Sequence, residues 1–442
     1  MTMRGYFDEL ASFIDTLARP GEVIISRFAA ETSDFIRFNK SAVRQASAVR
    51  QASWTVSLIH GLKRIDAKTT VAGQPPADRD QLRRLVASLR AGIDDVPDDP
   101  FLLYETAPVA SGTERRGNLP DAGRVIDEVL AAARGLDLVG FHAGGPIHKG
   151  FASTLGTRHW HAVESFNFGW CLYHDRDKAV KTTYAGDAWD SAVFESRMRF
   201  AREQLGRLGD EPRTLAPGAY RAFVAPAAMT DLLTMLSRGG FGLKSRNTKQ
   251  TALIRMADHD ARLSPLVTLD ENTRDGIASG FQAEGFVRPD RVPLIDGGKL
   301  AAALVNPRSA REYGVPTNGA NAGETPESLD LASGTLAEDE ALRALDTGIY
   351  IGNLWYLNFS DRCACRMTGM TRFASFWVQD GRIRAPLDVM RFDDTAYRLL
   401  GENLEALTRE RDFIPKADTY GERSTVSIRT PGALVREFAL TL

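Results

Sequence analysis

His159 and His161 stand two residues apart, so on an extended strand both imidazoles project from one face, where two ring nitrogens could hold a divalent metal. The nearest carboxylate in sequence, Glu164, has the opposite strand parity and joins the pair only if a bulge or turn intervenes. A structural or substrate-facing histidine pair is the favoured reading, with a metal site built on His159, His161 and Glu164 as its alternative. Cys363 and Cys365 also share one face of an extended segment, but a closed zinc site takes four ligands and no second pair lies near them in sequence. His60, His142, His148, His174 and His259 are scattered singly and read as structural. Three catalytic signatures are missing: the G-x-S-x-G elbow of serine hydrolases, the phosphate loop, and the third glycine of a dinucleotide fingerprint after Gly240 and Gly242.

The elements that would position these groups belong to a globular chain of ordinary make-up. With 43% apolar and 25% charged residues over 442 positions, the sequence can bury two or three cores and is neither disordered nor membrane-like. The formal charge of −2 offers no general positive field for phosphate backbones, so direct nucleic-acid binding is not expected. Three cysteines, sparse and odd in number, fit a reducing compartment, and neither a signal peptide nor an apolar run of about 20 residues is evident; a cytoplasmic protein is expected.

Periodicity predicts a first helix carrying Tyr6, Leu10, Phe13, Ile14 and Leu17, closed by Pro20-Gly21. Three strands follow, at Val23–Ile25, Phe35–Phe38 and Trp54–Ile59. Between the last two, Ser41-Ala42-Val43-Arg44-Gln45-Ala46 recurs at once as Ser47-Ala48-Val49-Arg50-Gln51-Ala52. One copy is too few for a solenoid, and the even period suits a long strand or a duplicated hairpin segment.

Helices are expected at 78–93, 121–134, 190–208 and 227–237, and around 397–407. The arginine-rich outer face of the second helix reads as solvated. A linker is expected at 94–120, and a strand at 136–141 ahead of a glycine turn at Gly144-Gly145-Pro146. Strand-rich runs follow at 151–155, 159–174 and 178–184, then a strand at 219–224, a polar loop at 306–333, and strands at 348–353, 374–378 and 426–429. The composite is α+β with antiparallel sheets and flanking helices, divided as an N-terminal helix-and-sheet domain (1–95), a central strand-rich domain closed by a helix (115–212), and a β-rich C-terminal domain (217–442).

The segments Gly150–Gly156, Arg158–Asn167 and Lys178–Gly186 resemble the strand-rich core of the TldD/PmbA family, known as modulators of DNA gyrase and regarded as metallopeptidases. Thr347–Ile351 and Phe373–Ile383 resemble the family's closing strands, with Ser375, Gln379 and Asp380 replacing the Gly, Glu and Asn of its Gly-Phe-Trp-Val-Glu-Asn-Gly segment. Asn306–Gly314 and Pro316–Gly319 are similar to the loop before them, so the likeness runs from about Ser33 onward.

The resemblance also supplies a test position. One branch of the family carries an H-E-x-x-x-H zinc helix; the other, PmbA or TldE, does not. The corresponding helix is Pro226–Gly239, where register places Thr234, Met235 and Gly239 at the two histidines and the glutamate between them. None supplies an imidazole or a carboxylate base. The resemblance therefore implies a TldE/PmbA-like subunit with no catalytic residue and no metal of its own. Zinc is expected only in a TldD-like partner, and the assembly, with that partner or as a homodimer, would enclose unfolded peptides. Alternatives from the residues are a stand-alone metal-dependent hydrolase using His159 and His161, and a non-enzymatic binding or regulatory protein.

Overall fold

The computed structural model describes residues 1–174 and 178–441. Its N-terminal half is one seven-stranded sheet with helices on one face. The chain enters through α1 (Met3–Asp15), then β1 (Glu22–Asn39), β2 (Ala42–His60), β3 (Lys63–Thr70) and α2 (Pro75–Gly92). It continues through β4 (Ala110–Arg115), α3 (Ala122–Ala132), β5 (Asp137–Ser153), β6 (Arg158–Tyr173), β7 (Ala179–Gly186) and α4 (Ser191–Leu208). The strand order is β3-β2-β1-β5-β6-β4, with β7 pairing β6 beyond the end of β4. Because β1 pairs β5 from Ile25–Ser153 to Phe38–Gly140, strands from 1–95 and from 115–212 share this sheet.

Strand parity sorts the sheet's two faces. Phe28, Trp54 and Trp160 lie under α1 and α2, with Phe7 stacked on Trp54 at 5.5 Å between ring centroids. Further along the same face, Ile36, Phe38, Phe168 and Trp170 pack under α3 and α4. Gly150 makes room for this packing, since a Cβ there would lie 2.6 Å from the Phe7 ring. Asp121 and Asp190 cap α3 and α4 by accepting backbone N–H bonds in the first turn.

The C-terminal half holds β8 (Gly218–Val224), α5 (Pro226–Ser237), β9 (Leu269–Glu271), β10 (Val292–Asp296), β11 (Lys299–Leu300) and β12 (Ser328–Leu331). It ends with β13 (Gly348–Asp361), β14 (Arg366–Gln379), β15 (Arg382–Pro386), β16 (Arg391–Thr395), β17 (Leu404–Pro415) and β18 (Ser427–Leu440). Strands β8, β13, β14, β16 and β18 close into a ring, because β18 pairs both β16 and β8. Helix α5 packs on β13 and β18, burying Ala228, Met229, Leu232, Leu233, Met235 and Leu236. Pairing is antiparallel except for β4–β6, β8–β13 and β12–β18, and the class is α+β as expected.

Several expected elements differ. The strands at Val23–Ile25 and Phe35–Phe38 are one strand, β1, whereas the hexapeptide copies, apart from Ser41, do lie in one long strand, β2, as their even period suits. The linker contains β4, whose alternating exposed polar residues carry no apolar signal. Gly144-Gly145-Pro146 is not a turn: β5 runs through it, and the β1–β5 ladder merely skips from Glu31–Ile147 to Asp34–Gly144. Gly145 is required there, since its φ is +137° and a Cβ would fall far inside van der Waals contact with the Thr32 carbonyl oxygen.

The polar loop holds a capped helix at Pro307–Tyr313 and β12. The expected helix around 397–407 shrinks to one turn, Arg398–Glu402, because Gly401 leaves helical geometry and β17 starts at Leu404. The turn expected between His174 and Lys178 lies outside the described residues. Among the described residues no helix is long and apolar enough to cross a membrane.

Candidate functional site

The β5–β6 register puts His159 opposite Phe151 and His161 opposite Lys149, on the sheet face turned toward the C-terminal half. Both are buried, but they meet separate partners. His159 Nε2 lies 2.9 Å from the Gly285 carbonyl oxygen and its Nδ1 lies 2.8 Å from Ser111 Oγ. A carbonyl only accepts, so Nε2 carries the proton, Nδ1 offers a lone pair, and the Ser111 hydroxyl donates to it. The ring sits against Phe281 and Phe151, with centroid separations of 5.2 and 5.7 Å, and this burial holds its pKa below the usual histidine value.

His161 Nε2 donates to the Ile277 carbonyl at 3.2 Å, and burial, aided by Lys149, pulls its pKa down to about 4. Glu164 stands on the opposite face and accepts the Gly117 N–H at 2.9 Å. The three residues therefore do not converge, and among the described residues no group of three or more His, Cys, Asp or Glu side chains could hold a metal.

Cys363 and Cys365 do not share an extended face. They lie in the turn between β13 and β14, Cys363 exposed and Cys365 buried, with burial pushing the Cys365 thiol up to about 12.

Helix α5 shows what stands at the zinc-helix positions. Thr234 is exposed and its hydroxyl donates back to the Thr230 carbonyl at 2.8 Å. Met235 is 1% exposed inside the C-terminal core. Gly239 lies beyond the helix end at φ +80°, where a Cβ would be 2.8 Å from an Arg362 guanidinium nitrogen. The three positions open onto three different surroundings and fit no metal.

Sequence reasoning missed Asp231, the single charged residue of α5, and that isolation in an apolar helix was the available signal. Its carboxylate accepts the Leu354 N–H at 3.2 Å, and burial lifts its pKa to about 6. The residues after Leu354 form an aromatic ledge. Trp355 and Tyr356 are 41% and 77% exposed, and the Arg372 guanidinium lies 4.5 Å from the Trp355 ring centroid. Tyr356 and Phe373 both hold positive φ, 58° and 65°, where β13 and β14 are bulged. Aromatic residues rarely adopt that geometry, and such strain collects at binding sites.

The second half of the chain, residues 217–442, matches the model of the PmbA/TldA metallopeptidase C-terminal domain. The chain belongs to the PmbA/TldD family. No curated protein matches it in sequence. Solved structures agree along the whole length. TldE from Thermococcus kodakarensis superposes with a TM-score of 0.81 at 12% identity, covering 99% of this chain and 100% of that one. A candidate modulator of a DNA gyrase from Thermotoga maritima gives 0.78 at 14%, covering 100% of both chains. A candidate gyrase modulator from Bacteroides thetaiotaomicron gives 0.74 at 14%, covering 99% of this chain and 98% of that one. At these identities the likeness is one of fold.

Proposed function

We propose that this PmbA/TldD-family chain is a TldE-like subunit that works beside a zinc-bearing, TldD-like partner in a peptidase acting on unfolded peptides. The observation that carries the reading is α5, with an exposed threonine, a core methionine and a left-handed glycine where a zinc helix needs two imidazoles and a carboxylate. At those three positions α5 offers no group to bind the metal or to take a proton from the attacking water, and its one carboxylate, Asp231, accepts the Leu354 N–H.

Retained next to this helix are groups suited to holding a peptide. Trp355 and Tyr356 offer exposed aromatic surface, and Asp231 stays largely uncharged in mildly acid solution. The partner would perform the chemistry, while this chain would supply a wall of the compartment and contacts to an extended substrate.

The test is reconstitution. Cleavage of an unfolded model peptide by a TldD-like protein is measured with and without the full-length chain. The reading expects a large gain on adding it, reduced when Trp355 and Tyr356 are both changed to alanine. Equal cleavage with and without this chain defeats it.

A further inference from the structure

The sheet face that buries His159 and His161 changes character further along β6. By strand parity it continues through Gly169 and Cys171 of β6, Val139 and Phe141 of β5, Arg37 of β1 and Lys181 of β7. Here the face is uncovered. Val139 keeps 36% of its surface, Arg37 and Lys181 are exposed, and a Cβ added at Gly169 would meet nothing within 4 Å.

Phe35 and Phe141 stack on this face at 5.9 Å between ring centroids and stay half-buried. With Arg37, Gln45, Ser47 and Thr419 they line a depression of about 290 Å³. Beside it, Gly169 stands opposite Phe141 in the β5–β6 ladder. A glycine inside a strand gives up side-chain packing, and it marks a place where a ligand or another backbone comes close.

The exposed charges of this floor have one sign. Among the described residues Arg37 and Lys181 form no ion pair and no side-chain hydrogen bond, and Lys181 rests 5.7 Å from the Phe373 ring centroid. The ladder row of Arg37, Phe141, Gly169 and Thr183 contains no carboxylate, nor does the row of Val139, Cys171 and Lys181. Asp137 begins the row beyond. Asp231 acts on Lys181 from α5 without an ion pair, its carboxylate being held by the Leu354 N–H. Three inter-strand steps of about 4.8 Å and an offset of two residues put about 16 Å between the Cα positions of Arg37 and Lys181.

We infer that this floor binds extended segments of unfolded polypeptide in which two acidic residues, four apart, flank an apolar one. The carboxylates go to Arg37 and Lys181, and the apolar side chain lies over Gly169 against Phe141. Residues i, i+2 and i+4 of an extended chain point to one side and span about 13 Å, a distance that the long arginine and lysine stems match from 16 Å. Two cations separated by an apolar floor suit two discrete carboxylates better than the closely spaced phosphates of a nucleic-acid strand. The inference rests on the peptide-handling reading above and names the class of peptide that the chain selects.

The test is fluorescence anisotropy on the full-length chain with three labelled, C-terminally amidated peptides in a glycine-serine background. The first carries aspartates four apart around a central phenylalanine, the second has the same residues with the aspartates adjacent, and the third has lysines in place of the aspartates. The first is expected to bind tightest, the second roughly two- to fivefold more weakly and the third at least about tenfold more weakly. Arg37→Gln and Lys181→Gln should each weaken the first peptide roughly two- to fivefold and shrink its lead over the third. Gly169→Val, which fills the floor, should weaken it at least about fivefold.

Equal binding of the three peptides, or wild-type affinity in the Arg37→Gln/Lys181→Gln double variant or in a folded Gly169→Val, overturns the inference. So does a single-stranded oligonucleotide that displaces the first peptide at equal concentration of charge, which marks a general polyanion surface. If Gly169→Val fails to fold by circular dichroism, the two variants at exposed positions decide. No peptidase enters these titrations. Their failure leaves the subunit reading to its own test, reconstitution on a peptide without acidic side chains, and failure there leaves the binding result standing.

Discussion

His159 Nε2 donates a hydrogen bond to the Gly285 carbonyl at 2.9 Å across 126 residues of sequence, tying the start of β6 to the segment between β9 and β10. With His161 on Ile277, the histidine pair serves as two pins between the halves of the molecule. Replacing His159 with alanine removes both ring hydrogen bonds and opens a cavity beside Phe151 and Phe281. The expected cost is about 3 kcal/mol in a denaturant melt, and Ser111→Ala should cost about 1–2 kcal/mol. Elemental analysis should find no stoichiometric metal that depends on His161; such a metal, lost in His161→Ala, would return the pair to the role of ligands.

Acid should loosen the fold before carboxylates titrate fully. Burial holds His142 at about 3 and His161 at about 4, against an ordinary value of 6.5. A depressed pKa means that the folded state binds fewer protons than the unfolded chain between the two values. The stability is complete above 6.5 and drains away as pH falls toward 4. At pH 5 each histidine should have cost about 2 kcal/mol relative to neutral pH. Asp231, raised to about 6, works in the opposite sense and recovers part of that loss. Urea midpoints at pH 7.5 and pH 5 provide the check: the midpoint should fall on acidification, and less so in His161→Gln. An unchanged midpoint would contradict the burial of these rings.

Rebuilding a zinc helix on α5 should fail for reasons of packing. Met235→Glu places a carboxylate among Leu232, Leu236 and the strands of the ring, and Gly239→His forces a side chain onto a left-handed residue beside Arg362. Thr234→His alone is tolerated at its exposed site. The triple variant should lose about 4 kcal/mol or more and bind no zinc in equilibrium dialysis. Stoichiometric zinc in a folded triple variant would show that α5 can converge its ligands.

What the sequence disclosed follows from the range of the forces involved. Periodicity located α1, α2, α4 and α5 because each buries a stripe of its own residues, and parity alone separated Glu164 from His159 and His161. Long strands were harder to recognise. β1 is interrupted in sequence by Ala29–Asp34, whose polar members Glu31 and Ser33 are buried only because Arg423 arrives from the far end of the chain. β4 exists because β6 offers it an edge, and Gly401 ended a helix that the flanking leucines suggested. The histidines' partners are backbone carbonyls over 100 residues away, which side-chain motifs do not encode.

Arg423 fills the gap that Gly145 opens in the first sheet. Its guanidinium donates to the Gly145 carbonyl at 2.9 Å and to the Ser165 carbonyl at 2.7 Å, while its backbone N–H reaches Glu31 at 3.3 Å. The segment between β17 and β18 thereby fastens the C-terminal half to β1, β5 and β6. Arg423→Ala strands two buried carbonyls and leaves the Glu31 carboxylate with less compensation. It should cost about 2–4 kcal/mol. Lysine should rescue little, because a single ammonium does not reproduce the spread of a planar fork. Limited proteolysis separates this anchoring role from general destabilisation: cleavage between Lys416 and Val426 should accelerate in Arg423→Ala under conditions where both halves remain folded. Cleavage there at the wild-type rate would show that the segment is held by other contacts.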